Sequence, residues 1–245
     1  MKRYIPNVIT SLNLICGVLA VLLASQGYII IAAWFIVLAA VMDFLDGMAA
    51  RALKAYSEVG EQLDSLADLI SFGLAPAVLL FQLITHAIEG SGLSEYPEIA
   101  YVVILLPLFS ALRLARFNTD DTQKSSFLGL AVPASALFFA GIALAAAYAI
   151  EIPGLAGWVG KQASNAPLLI VLILAFSFFM VMPMRLFSLK MSDGSWENNK
   201  VQWLFGAFVV VLMLILKAAA LPLIILGYIF SGALVNLFNN DTKQR

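Results

Sequence analysis

The sequence predicts an all-α protein, a polytopic membrane bundle of about eight transmembrane helices. Three observations lead there. Of its 245 residues, 62% are hydrophobic and 12% charged, with a mean hydropathy of +0.95. Soluble domains run at about 45–50% apolar and about 25% charged. The apolar runs repeatedly reach the ~20 residues that cross a bilayer, a length that a buried soluble core does not require. Finally, the basic residues segregate to one side when the runs alternate across a membrane. Net charge is −1, so there is no basic field for nucleic acid. Cys16 is the single cysteine, which excludes an internal disulfide and is silent on redox compartment.

The expected helices occupy roughly residues 7–25, 29–53, 58–86, 97–117, 130–150, 167–189, 201–218 and 221–238. Lys2 and Arg3 precede the first apolar run, as in a signal peptide. No small-residue cleavage site follows, and Asn7, Thr10 and Asn13 interrupt the run, so a retained first helix is expected. A turn-rich stretch, HAIEGSGLSEYPE, separates the third and fourth helices. EIPGLAGWVGKQASNAP separates the fifth and sixth, and a short link near Pro222 separates the last two. No repeat, low-complexity tract or soluble domain interrupts the pattern. Residues 1–190 read as the core and 191–245 as a helical hairpin of the same membrane domain.

Orientation follows from the lysines and arginines. With the N-terminus in the cytoplasm, the cytoplasmic side holds Lys2, Arg3, Arg51, Lys54, Arg113, Arg116, Lys124, Arg185, Lys190, Lys200, Lys243 and Arg245. Only Lys161 and Lys217 fall outside. The expectation is a multi-pass protein of the cell's inner (cytoplasmic) membrane with both termini in the cytoplasm.

Acidic residues inside membrane helices cost about 2.5–3.5 kcal/mol or more each at a helix centre. Here four fall within 26 residues: Asp43, Asp46, Asp64 and Asp68. The i,i+3 pair Asp43/Asp46 shares one face of the second helix, and the i,i+4 pair Asp64/Asp68 one face of the third. Converging carboxylates repel unless a cation joins them, and Mg²⁺ or Mn²⁺ suits carboxylate oxygen. Gly47, Ala49, Ala50, Gly60, Ser65 and Ala67 are small enough for a helix or nucleotide to approach the backbone. By spacing alone, a proton or cation pathway stays open.

The full pattern is Asp43, two residues, Asp46-Gly47, two residues, Ala50-Arg51, eight residues, Gly60, three residues, Asp64, three residues, Asp68. It resembles the signature of the CDP-alcohol phosphotransferase family without a departure. The resemblance implies a core of six membrane helices and transfer of a phosphatidyl or similar group from a CDP-linked donor to an alcohol, with release of CMP. It implies that Asp43, Asp46 and Asp64 bind metal, and that Asp68 contributes to metal binding and acts as general base. It also implies a homodimer. Physical chemistry is compatible with these roles. Two ions can hold a diphosphate and stabilise the leaving oxygen, and a carboxylate can take the proton from an attacking hydroxyl. Arg51 can contact the donor phosphates or anchor the helix at the cytoplasmic surface. Thr10 and Asn13 can line the nucleotide pocket or bond neighbouring helices. The expected donor set is Thr10, Asn13, Asp43, Gly47, Ala50, Arg51, Gly60 and Asp64.

Further segments resemble the membrane-type phosphatidylserine synthases, a branch of that family. These are PNVITSLNLICG at the start, SFGLAPA at Ser71–Ala77 and ALRLARFN at Ala111–Asn118. FLGLAVPASA at Phe127–Ala136 is similar but has Ala131 where the branch has proline, with Pro133 retained. Met182–Lys190 matches more loosely. The resemblance covers residues 1 to about 190 and implies CDP-diacylglycerol as donor and L-serine as acceptor. Arginine can grip a carboxylate with two parallel hydrogen bonds, so Arg113, Arg116 and Asn118 are the expected acceptor or phosphate contacts. Lipid-headgroup anchoring is the alternative for the arginines. His86 is the only histidine, which excludes a two-histidine covalent route. Glycerol phosphate or an inositol phosphate as acceptor, an archaeal ether-lipid donor, and more distantly a transporter are the competing readings.

Overall fold

The computed structural model describes residues 4–89, 91–119, 129–148, 154–182 and 200–241. Every regular element among them is helical. Helices α1 (Ile5–Ser25) and α2 (Ile29–Leu53) form a hairpin. It turns at Gly27, whose φ of +84° suits a residue without Cβ. On α1, Thr10, Asn13, Gly17, Ala20 and Ala24 are buried at spacings of three and four residues. Ala32, Ala33, Ile36 and Ala39 are the buried apolar residues on α2. These small side chains let the helices approach closely. Exposed Leu12, Ile15, Leu22, Trp34 and Leu38 are left for lipid.

Helix α2 ends at Lys54, which caps it in the left-handed conformation with φ +49°. Ser57 then starts α3 (Glu58–Glu89), its Oγ accepting from the Gly60 N–H at 3.1 Å. Glu58 and Glu61 in the first turn complement the helix dipole. A π-helical stretch, Leu69–Leu74, interrupts α3 one residue before Ala75-Pro76. Pro76 explains it. A proline lacks the N–H for the Phe72 carbonyl and its ring clashes with that group, and a wider turn relieves both. Helix α3 is the centre of the bundle: 61% of its apolar span is buried, against 28–33% for α1, α2 and α4.

Helix α4 (Pro97–Thr119) begins as a 3₁₀ stretch over Pro97–Ile104 and continues as α-helix. It meets the π stretch of α3 at Gly73, where a Cβ would lie 3.1 Å from that of Ser110. Gly129 (φ +76°) and the Leu130 N–H, donated to the Phe179 carbonyl at 2.9 Å, fix the entry to α5 (Val132–Tyr148). Phe138 through Ala145 are buried almost without a break, as befits a helix apolar on every side. A short α6 (Leu155–Lys161) and a 3₁₀ turn, Gln162–Ser164, lead into α7 (Ala166–Val181). Gly157–Ser164 and Ala166–Val181 are bent by 93°. Asn165 caps α7 by accepting from the Leu168 N–H at 3.1 Å. Phe138 stacks on Phe176 with ring centroids 4.3 Å apart.

Helices α8 (Lys200–Leu216) and α9 (Ala220–Asp241) close the described chain. The apolar helical stretch Trp203–Gly232 is not one rod. Lys217 has φ +51°, and Phe205 and Tyr228 bring their ring centroids to 6.2 Å. In a straight helix they would be about 35 Å apart. The arms therefore fold back on each other. Helix α9 packs on α5, where Gly141 leaves room for Leu221 and Pro222.

Among the described residues each of the eight expected helices has a helical counterpart, with α6 in addition, but they are not eight uniform spans. Among the described residues α1 to α4 are each long and apolar enough to cross a bilayer, the stretch Trp203–Gly232 shared by α8 and α9 meets the same test by length and composition, and α6 with α7 does so as a bent pair. Helix α5 is described over 17 residues. The expected helix 167–189 stops at Val181, because Met182 is extended (ψ 136°) ahead of Pro183 and a residue before proline disfavours the α conformation. The linker expected over 151–167 contains α6. Of the basic residues used for orientation, Lys2, Arg3, Lys124, Arg185, Lys190, Lys243 and Arg245 lie outside the described residues, as do Phe127, Leu128 and most of Met182–Lys190.

Candidate metal centre and donor cleft

Helix periodicity sets Asp43 and Asp46 on one face of α2, and Asp64 and Asp68 on one face of α3. The short link capped by Lys54 and Ser57 turns α3 back beside α2. As a result, one carboxylate oxygen from each of Asp43, Asp64 and Asp68 comes within 4.8 Å of the other two. Asp46 is not in that trio. It is 5% exposed, and its Oδ2 is buried without a hydrogen-bond partner, as is Oδ1 of Asp64. The one ion pair among the described residues, His86–Glu89 at 3.8 Å, is far along α3 from this cluster. Orphaned carboxylate oxygens in a partly buried acidic cluster fit a divalent cation. Asp43, Asp64 and Asp68 could hold one directly, with Asp46 adjacent.

A cavity of about 610 Å³ opens beside the cluster and shares Asp46 and Asp64 with it. Its walls come from the start of α1, the end of α2, the 55–57 link and the first turns of α3. Thr10, Gly47, Ala50, Arg51 and Gly60 from the expected donor set line it. Arg51 is the only basic side chain among the described residues that line it, and its guanidinium lies over Gly47. Gly60 lets α3 start against α1: a Cβ there would sit 3.0 Å from both Asn7 Oδ1 and Ser57 Oγ.

Two expected donor residues are not in the lining. Asp43 belongs to the carboxylate trio. Asn13 is fully buried and donates its Nδ2 to Asp68 Oδ1 at 3.2 Å, so it bonds between helices. Asn7, Tyr56, Ser57, Glu58 and Glu61 line the cavity and escaped the sequence reading. Ser57 was findable, since a serine followed by acidic residues ahead of an apolar run is a helix-start signal.

The three expected acceptor contacts separate. Arg113 is partly buried, its Nε has no partner, and it lies within electrostatic reach of Asp68 and of Tyr228 on α9. Arg116 is exposed and donates to the Val181 carbonyl at 3.4 Å. Asn118 donates to Ser65 Oγ at 2.8 Å, tying the end of α4 to α3. Of the two arginines, Arg113 is the one within electrostatic reach of an aspartate of the centre.

Fold and site together define a multi-pass helical membrane protein with an acidic, metal-competent centre beside a cleft of mixed lining. The chain matches the family model described as CDP-alcohol phosphatidyltransferase over residues 3–163, and it belongs to that family. Three curated relatives bear the name CDP-diacylglycerol–serine O-phosphatidyltransferase. The Bacillus subtilis protein is 36% identical over 142 residues, which cover 58% of this chain and 73% of the relative. That of Helicobacter pylori strain 26695 is 34% identical over 134 residues, 54% of each chain. The Methanocaldococcus jannaschii protein is 38% identical over 138 residues, 56% of this chain and 59% of the relative. The chain thus spans little more than half of the latter two.

Proposed function

We propose that this protein transfers a phosphatidyl group from CDP-diacylglycerol to the hydroxyl of L-serine, giving phosphatidylserine and CMP. The observation that carries this reading is the meeting of Asp43, Asp64 and Asp68 beside a cleft that Asp64 also lines. The names of the relatives support the choice of donor and acceptor. The cofactor is Mg²⁺ or Mn²⁺, two ions held by Asp43, Asp46, Asp64 and Asp68, which when bound neutralises the diphosphate and eases departure of CMP. Arg51 holds donor phosphate at the cleft, and Gly47, Ala50 and Gly60 let the nucleotide reach the backbone. Thr10 completes that wall. Arg113 takes the serine carboxylate. Asp68 accepts the hydroxyl proton as the serine oxygen bonds to the lipid-side phosphorus. The phosphorus–oxygen bond to CMP breaks, and CMP leaves with the electron pair.

The membrane setting of the reading is the cell's inner (cytoplasmic) membrane with both termini and the acidic centre cytoplasmic, supported by the basic-residue bias. The protein is proposed to act as a homodimer, to be checked by particle mass in nanodiscs. For function, purified protein receives CDP-diacylglycerol with Mg²⁺ or Mn²⁺ and is offered labelled serine, glycerol phosphate and inositol phosphate in turn. Labelled phosphatidylserine with stoichiometric CMP is expected. Transfer to another acceptor but not to serine overturns the assignment.

A further inference from the structure

We infer that Asn13 is a positioning residue for Asp68: its side-chain amide, carried on a backbone that the π stretch of α3 fixes, aims the carboxylate that receives the acceptor's proton. The inference rests on the role of Asp68 proposed above. Asn13 is 0% exposed, and its Nδ2 donates to Asp68 Oδ1 at 3.2 Å. The opposite amide orientation would set a carbonyl oxygen against a carboxylate oxygen, so the chemistry fixes which end faces Asp68. Asn13 is itself held. Ser71, inside the π stretch, donates its Oγ to the Asn13 backbone carbonyl at 3.0 Å. The approach is that close because position 17 has no side chain; a Cβ on Gly17 would collide with Ser71.

A chain of contacts therefore runs from the π stretch through Ser71 and Asn13 to Asp68, joining α3 to α1 and returning to α3. With Oδ1 tied by Asn13, rotation of the Asp68 carboxylate is restricted and its second oxygen keeps one direction. Groups that hold a reacting side chain in this way set its productive geometry. A plain fastener between two helices would use the same hydrogen bonds, so the test must separate aiming from fastening.

The experiment is a double-mutant cycle on the full-length protein in nanodiscs, with metal and CDP-diacylglycerol, reading turnover, KM for each substrate and donor binding. Asn13→Ala is expected to lower kcat by about 10- to 100-fold, the range for a lost hydrogen bond to a charged group, with donor KM within about two-fold. In an Asp68→Asn background the same change is expected to cost less than about two-fold, because nothing remains to be aimed. Equal losses in both backgrounds would make Asn13 a fastener and overturn the inference. Near wild-type turnover of Asp68→Asn alone would sink the proton-acceptor role, and the inference with it. Ser71→Ala, which removes only the bond to the Asn13 carbonyl, enters the same cycle in case Asn13→Ala does not fold. Its expected loss is about three-fold, again only with Asp68 present.

Discussion

Replacing Asp43 by asparagine should stabilise the metal-free protein and weaken its response to metal. The three oxygens of Asp43, Asp64 and Asp68 lie within 4.8 Å of one another. At an effective dielectric of about 20, two unit charges at that separation repel by about 3.5 kcal/mol. Neutralising Asp43 removes two of the three repulsive pairs. Even a gain of a third of one pair, roughly 1 kcal/mol, moves the melting temperature of a protein this size by about 2–4 °C. The assay is thermal unfolding in detergent or nanodiscs, first in EDTA and then along a Mg²⁺ or Mn²⁺ titration. In EDTA, Asp43→Asn is expected to melt at least about 2 °C above wild type. With metal the order reverses, because wild type gains a ligand-linked stabilisation that grows with metal concentration, whereas the variant keeps only part of it. Salt should narrow the difference in EDTA, since partly exposed charges are screened. A wild-type melting curve indifferent to divalent ions would refute the reasoning. So would an Asp43→Asn variant that melts below wild type in EDTA.

Three other outcomes are expected. Asp68→Asn should lower turnover by about 10²–10⁴-fold, the usual worth of a general base, while keeping donor binding; rescue by excess metal would instead make Asp68 a ligand only. Arg113→Lys keeps the charge but loses the two-pronged grip, so KM for serine should rise about ten-fold or more while that for CDP-diacylglycerol stays put; Arg116→Lys, at an exposed position, should change neither by more than about two-fold. In sealed vesicles carrying Cys16→Ser, a single cysteine at Lys54 should react only with reagent admitted to the cytoplasmic side, and labelling from outside alone would invert the proposed orientation.

The carboxylates were legible because their spacing is local. Two helical faces and a short link bring Asp43, Asp64 and Asp68 together almost by geometry alone. The glycines and alanines of the cleft were legible for the same reason. Asp46 was read as an equal fourth, yet it stands outside the trio, because the rotation of α2 about its axis depends on packing against α1 and α5. The bond from Asn13 to Asp68 joins residues 55 positions apart. No periodicity announces it, so the sequence left Asn13 between a nucleotide contact and a bond to a neighbouring helix. Pro183 marks the end of α7 in the sequence, but the apolar run that continues past it outweighed the signal. A break between the last two helices was expected near Pro222; the structure turns slightly earlier, at Lys217, a non-glycine residue at positive φ.

Helix α3 carries Asp64 and Asp68 on one rigid, centrally buried rod. Four residues of helical rise put about 6 Å between them along its axis, and no loop motion can alter that figure. The side chains close that gap at their tips, where the carboxylate oxygens of Asp64 and Asp68 come within 4.8 Å of each other. The spacing of the two acids is thus set by the pitch of one helix, and only the approach of Asp43 depends on how a second helix packs against it.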